Sequence, residues 1–170
     1  MPYIQKILKG SRKPNSGLVS VDIGANLGLF SYLMSCESSQ VIAIEPQPKL
    51  ANYLKKVLPK NVTVQNLAVS DRDGIAEMRI PKLKGLAGSS AQQDALATIE
   101  DSNPITRQEN LDLIQVPIRT LDKILENEPQ IDFIKIDVEG HELSVLNGAK
   151  HTLGQCKPIL MIELYKEHNP

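Results

Sequence analysis

Apolar and polar positions along the 170-residue chain run in two alternating rhythms. Leu18-Val19-Ser20-Val21-Asp22-Ile23 is a short, mostly apolar run ending in a glycine-bearing loop, the pattern of a strand buried on both faces. From Leu27 to Cys36 the period lengthens, and Leu29, Phe30, Leu33 and Met34 fall on one side of an expected helix. Val41-Ile42-Ala43-Ile44 predicts a second buried strand, closed by Glu45-Pro46. Pro48 suits the first turn of the next helix, where no backbone N–H is needed, and Leu50, Tyr53, Leu54 and Val57 recur at helical spacing. Pro59 and Asn61 end that helix, and Val62-Thr63-Val64 opens a third strand running to about Leu67. Strand, helix, strand, helix, strand with short connections predicts an α/β fold, doubly wound on a mostly parallel sheet.

After residue 70 the rhythm changes. Asp71-Arg72-Asp73-Gly74 is a turn signal, and Ile75 to Ile80 alternates as a strand. Residues 82–110 are polar, with Gly85, Gly88, Ser89 and Ser90 among them, and a loop of that length is expected to act as a lid. Leu113 to Ile118 is strand-like, yet Pro117 points to an edge position. The two runs are expected to pair as an added antiparallel hairpin at one edge of the sheet. Thr120 is placed to cap a helix over Leu121, Ile124 and Leu125. Ile131 to Asp137 predicts another central strand. Glu139 to Leu153 predicts one amphipathic helix, with Leu143, Leu146, Ala149 and Leu153 facing inward. Pro158 to Leu164 is a last apolar strand.

Length and composition point to one domain over 1–170, with 1–16 as a lead-in. The chain is 41% hydrophobic and 23% charged, enough to form a core without staples. A net charge of -1 gives no field that would gather nucleic acid or an anionic membrane. Lys6, Lys9, Arg12 and Lys13 form a small basic cluster, read as a solvated helix face rather than a docking patch. Cys36 and Cys156 lack metal-type spacing and read as buried free thiols of a reducing compartment. No apolar run approaches the roughly 18 residues of a membrane helix, and no leader pattern opens the chain. The expectation is a soluble, cytoplasmic protein without a membrane span.

Three stretches carry candidate chemistry. Asp22-Ile23-Gly24-Ala25-Asn26-Leu27-Gly28 places glycines where the chain must turn sharply and where a helix must come close, leaving room for a ligand against backbone N–H groups. A side chain at Gly24 is expected to intrude on that ligand with a modest loss of stability, and one at Gly28 to push the helix off the sheet. Dinucleotide sites use G-x-G-x-x-G, whereas this loop has G-x-x-x-G behind an acid. A cationic or amino-bearing ligand suits Asp22 better than a pyrophosphate. Glu45 stands 21 residues after Gly24, at a strand end where an acid accepts both hydroxyls of a ribose. In Lys135-Ile136-Asp137-Val138-Glu139-Gly140-His141-Glu142, five ionisable groups crowd the end of a strand that should be apolar. Glu142 is accounted for by the helix N-terminus it precedes; Lys135 and Asp137 are not.

These residues resemble the FkbM-type methyltransferases. The resemblance rests on Asp22 to Gly28, Ile44-Glu45-Pro46, Arg119-Thr120-Leu121-Asp122, Phe133 to Glu142 and Leu146-Asn147-Gly148-Ala149, and covers about 17–165. It implies a class I, Rossmann-like domain that binds S-adenosylmethionine (SAM) and methylates oxygen on a sugar, lipid or natural product. By that resemblance Asp22 and the loop with Gly24, Ala25, Asn26 and Gly28 hold the amino-acid end of SAM. Glu45 and Pro46 take the ribose, and Asn66 with Ala68 lines the adenine. Such domains usually continue into a further strand pair, which this chain lacks. Ile159 to Ile162 is therefore expected to be an open edge through which copies associate or which a partner covers.

Methyl transfer from a sulfonium depends mostly on holding the acceptor in line and excluding water. Asp137 is the expected positioning carboxylate and His141 the expected general base, with Lys135 and Glu139 beside them. Asp137 and Glu139 alone make a poor magnesium site, so no metal is expected. Two other classes compete: an NAD-dependent oxidoreductase using the same crevice, and a SAM-binding domain without activity.

Overall fold

In the computed structural model the residues that can be described are 6–8, 10, 17–81, 97–99 and 111–164. The chain runs β1 (Val19–Ile23), α1 (Leu29–Ser35), β2 (Gln40–Ile44), α2 (Pro48–Val57), β3 (Val62–Gln65), β4 (Ala68–Val69), β5 (Gly74–Pro81) and β6 (Leu111–Arg119). It continues through α3 (Leu121–Ile124), β7 (Phe133–Ile136), α4 (Glu142–Asn147), α5 (Lys150–Cys156) and β8 (Ile159–Ile162).

Five strands form one parallel sheet in the order β3-β2-β1-β7-β8. The chain winds outward from β1 to β3, then returns to the other side of β1 with β7. That reversal makes the β1/β7 boundary the topological switch point, where open α/β sheets bind ligands. Each face of the sheet has its own core. Val21, Ile23, Ile42, Ile44, Ile134 and Ile136 point to one side, under Leu121 of α3 and Val145 of α4. Val41 and Phe133 point to the other, under Met34 of α1, while Ala43 meets Leu54 of α2. Strand residues alternate between faces, so a strand covered by helices on both sides must be apolar almost throughout.

Several local expectations hold. Pro48 stands in the first turn of α2, and the Thr120 hydroxyl accepts from the Lys123 N–H at 3.3 Å as the cap of α3. Others give way to packing. The 139–153 helix is two helices, and between them the backbone at Gly148 passes the Ser70 carbonyl so closely that a Cβ would overlap it. Asp122 then caps α5, accepting from the backbone of His151 and Thr152. Leu143 faces outward at 68% exposure, and Val145 is the residue that points into the core. In α1 and α2, Leu29, Tyr53 and Val57 are half exposed. Cys36 is exposed and Cys156 partly so; both are free, and neither is buried.

The hairpin forms, with Gly74 opposite Ile118 and Pro81 opposite Leu111. It lies in a second, three-stranded sheet, β4-β6-β5, rather than at an edge of the first. Pro117 is therefore on the central strand. Its missing donor falls on the β4 side, two residues before Arg119, whose carbonyl accepts from Ser70 on that side. Pairing with β4 begins only at Ile118, so no ladder bond is lost at Pro117. β8 lies at the edge of the parallel sheet, with Ile159, Leu160 and Met161 partly exposed.

Candidate functional site

The carboxyl ends of β1, β2 and β7 open together. After Ile23 the chain turns through Gly24 (φ 76°), Asn26 (φ 50°) and Gly28 (φ 82°), three left-handed positions within five residues. Gly24 is required by β7, since a Cβ there would overlap the Asp137 carbonyl oxygen. Gly28 is required by α2, since a Cβ would come within 2.6 Å of Leu54. The loop amides do not form the expected open cradle. Gly24 and Ala25 donate to the Ile44 carbonyl at 3.0 Å, Asn26 to Glu45 Oε2 at 2.8 Å, and Gly28 to the Ala25 carbonyl at 2.8 Å. The loop thus binds the end of β1 to the end of β2.

Glu45 is 3% exposed, with Oε2 held by the Asn26 amide and Oε1 by the Gln47 amide at 2.9 Å. Burial pushes its carboxyl up to about 7, although the two amides act the other way. An ionised carboxylate accepts about four hydrogen bonds, so capacity remains for two hydroxyls. Asn66 stands behind this corner, its amide donating to the Glu45 and Pro46 carbonyls at 2.9 and 2.8 Å.

Asp22 and Lys135 are register partners on adjacent strands and share the face beneath α1. Asp22 is fully buried and takes the Ser31 hydroxyl at 2.6 Å. The Lys135 ammonium lies 3.4 Å from Asp22 Oδ1, 3.0 Å from Asp137 Oδ2 and 3.0 Å from the Gly24 carbonyl, and 5.0 Å from the centre of the Phe30 ring. Burial acts against the ammonium, but Asp22 and Asp137 outweigh it and hold Lys135 above the usual lysine range. For Asp22 burial dominates and pushes the carboxyl up. These tendencies oppose each other across one ion pair; the three close contacts of the ammonium favour the ionised arrangement.

Beyond β7 the backbone turns through Glu139 (φ 53°) and Gly140 (φ 99°). Glu142 folds back to accept from Gly140 at 3.1 Å and Val138 at 3.4 Å, which serves this turn as well as the helix start. Burial, then the nearby Asp137, Glu163 and Glu142, push Glu139 up to about 7. His141 Nε2 lies 3.0 Å from Ser70 Oγ. Within the long connection, 97–99 are described: Thr98 bridges to Arg79 of β5 and donates to the Glu139 carbonyl at 2.9 Å. The rest of the expected lid, 82–96 and 100–110, lies outside the described residues.

Between these parts is a cleft that is partly open to solvent. Gly24, Asn26, Glu45, Pro46, Ala68 and Asp137 are on its wall, as are Glu139 and His141. Asp22, Ala25, Gly28, Asn66 and Lys135 are not on it; they support the wall from behind. Residues that the sequence did not single out complete it. Met78, Thr98 and Ile99 form one side and Glu163 follows β8. Glu163 could have been found by the reasoning applied to Glu45, as an acid ending an apolar strand. Nothing in the alternation of β5 says that Met78 turns toward a ligand. Among the described residues no three His, Cys, Asp or Glu side chains gather as a metal site.

The fold and cleft define a doubly wound α/β protein with a cleft at its switch point. A family model described as "Methyltransferase FkbM domain" matches residues 22–170. The chain belongs to that family, and membership implies a methyl donor. A curated relative, Methyltransferase 1 of Beauveria bassiana (strain ARSEF 2860), is 23% identical over 159 residues, which are 86% of this chain and 64% of the relative. The crystal structure of precorrin-6y C5,15-methyltransferase from Geobacter metallireducens GS-15 superposes over 94% of this chain and 61% of its own, at 12% identity and a TM-score of 0.46. The chain thus spans a little under two thirds of the length of either. No helix among the described residues is long and apolar enough to cross a membrane.

Proposed function

We propose that this chain is a single SAM-binding methyltransferase domain that methylates a hydroxyl of a sugar, lipid or natural product in the cytoplasm. The reading rests most on Glu45. It is an acid fixed by two amides at the end of β2, facing the cleft beside Asn26. SAM suits these residues: Asn26 Oδ1 is buried without a hydrogen-bond partner, on a residue of the cleft wall, and offers an acceptor to an ammonium. Glu45 would take the ribose hydroxyls. Leu67, Ala68 and Val69 supply an apolar wall for the adenine.

When bound, SAM supplies an electrophilic methyl group on a sulfonium. The chain's part is placement. Asp137 holds a carboxylate at the strand end, Thr98 and Ile99 cover the cleft from the hairpin side, and Met78 excludes water there. Glu139 titrates near neutrality, so at pH 7 it is present both as acid and as base, the condition for taking a proton from an acceptor hydroxyl. His141, beside Ser70 on the same wall, is the second candidate. Titration of the protein with SAM and, separately, with NADH tests the reading. SAM is expected to bind and NADH not; NADH binding without SAM would replace it with the oxidoreductase reading. Methyl release to a panel of sugar, lipid and phenolic hydroxyls tests the acceptor class, and binding without turnover on any of them favours an inactive SAM-binding domain.

A further inference from the structure

Lys135 is buried at the centre of the fold, and the geometry gives it no access to a ligand. It is off the cleft wall, and its ammonium sits among three acceptors from two strand ends. Phe30 of α1 closes the remaining side at 5.0 Å. A lysine so enclosed cannot shuttle protons with an acceptor or form a covalent link to one. We propose that Lys135 is a positioning residue of the cleft: it ties the Gly24 carbonyl at the end of β1 to the Asp137 carboxylate at the end of β7, and so sets where Asp137 faces the methyl donor. This rests on the reading of the cleft as a SAM site.

The surroundings explain why a cation is needed. Asp22 is fully buried, and Asp137 lies one step further along the same face. Two carboxylates on one face repel, and the fully buried one, Asp22, loses hydration unless a cation sits between them. Helix α1 adds Phe30 and Ser31 and no charge, and β8 adds Met161 opposite Lys135. Glu45 and Glu139 are the other ionisable groups that feel the ammonium. A neutral side chain at 135 leaves both carboxylates without a counter-ion, and one of them must take up a proton or turn away.

Two measurements test this. The first is a double-mutant cycle on SAM affinity with Lys135→Met and Asp137→Asn, which separates coupled from independent sites. Each single change is expected to weaken SAM by about tenfold, and the pair to bind no worse than Asp137→Asn alone. Losses that multiply, or unchanged affinity in Lys135→Met, overturn the proposal. If Lys135→Met does not fold, the same comparison is made on an Asp22→Asn background, which removes the buried charge left unpaired. The second is melting between pH 5.5 and 8.5. Lys135→Met is expected to lose more stability as pH rises, since Asp22 then has to be buried ionised, and Lys135→Met/Asp22→Asn to recover most of the loss. A pH-independent loss, or no recovery, overturns the counter-ion role. If the wild type binds no SAM, the functional reading fails on its own, and the melting result still decides the role of Lys135.

Discussion

Alanine at four glycines separates a ligand-driven loop from one shaped by packing. At Gly24 the backbone is left-handed (φ 76°), which costs an L-residue about 1–2 kcal/mol. Its Cβ would also overlap the Asp137 carbonyl oxygen, part of a backbone that cannot rotate aside, and overpacking of that kind costs about 1–3 kcal/mol. The sum, roughly 2–5 kcal/mol, corresponds to a fall in Tm of about 4–20 °C for a chain of this size. Gly28→Ala has the same backbone cost (φ 82°), but its neighbour is the flexible end of Leu54 at 2.6 Å, so its loss should be smaller. Gly148→Ala meets the Ser70 carbonyl and should approach Gly24→Ala. Gly154 is helical with nothing within 4 Å, so alanine there should gain about 0.5–1 kcal/mol. The expected order of melting, from highest, is Gly154→Ala, wild type, Gly28→Ala, then Gly148→Ala and Gly24→Ala. A ligand-driven Gly24 would instead melt within about 2 °C of wild type and lose only SAM binding. That outcome refutes the packing account.

Glu45 lies at about 7 when folded, above its unfolded value, so its contribution to stability is present below roughly pH 4.3 and lost as pH rises through 7. Melting of Glu45→Gln should lack that part of the decline, and its SAM affinity should fall about tenfold by calorimetry. An ionised Glu45 is the better acceptor for ribose hydroxyls, so wild-type affinity should rise between pH 6 and 8 and Glu45→Gln should show a smaller rise, that of Glu139 on the same wall; equal rises in the two remove Glu45 from the ribose. Burial acts to raise Asp122, but donors from Thr152 and His151 hold its carboxyl below the usual range. Asp122→Ala should therefore cost about 0.5–2 kcal/mol at neutral pH, a difference that vanishes as pH falls below roughly 3.9; a difference that persists in acid assigns it to packing. Thr98→Val removes the donor to the Glu139 carbonyl; hydrogen exchange at 97–99 should speed up by about two- to tenfold, and an unchanged rate shows that Thr98 does not hold that segment.

The parallel sheet was legible because both helical layers leave no polar face to its strands. Val41 to Ile44 and Ile131 to Ile136 are read as buried from composition alone. Failures came where two distant segments decide one position. The break at Gly148 falls where Ser70 passes, and Val145 rather than Leu143 faces the core. No periodicity within 139–153 carries that information. The hairpin pairing was visible, but its separation from the main sheet depends on β4, a two-residue strand with no sequence signal of its own.

The site was legible by residue and not by role. Asp22, Glu45, Lys135 and Asp137 stand out as charges at the ends of apolar runs, but a run does not say which carboxylate meets a ligand. That is decided by the sheet: β1 and β7 are in register at Asp22 and Lys135, so this pair is one step short of the strand ends and closed over by α1. Asp137 and Glu45 lie beyond the last paired residues of their strands, where the layers part. A shift of one or two residues along a strand thus separates a supporting ion pair from a wall of the cleft. The acid before the glycine loop keeps its importance, but through Lys135 and the strand ends it holds together.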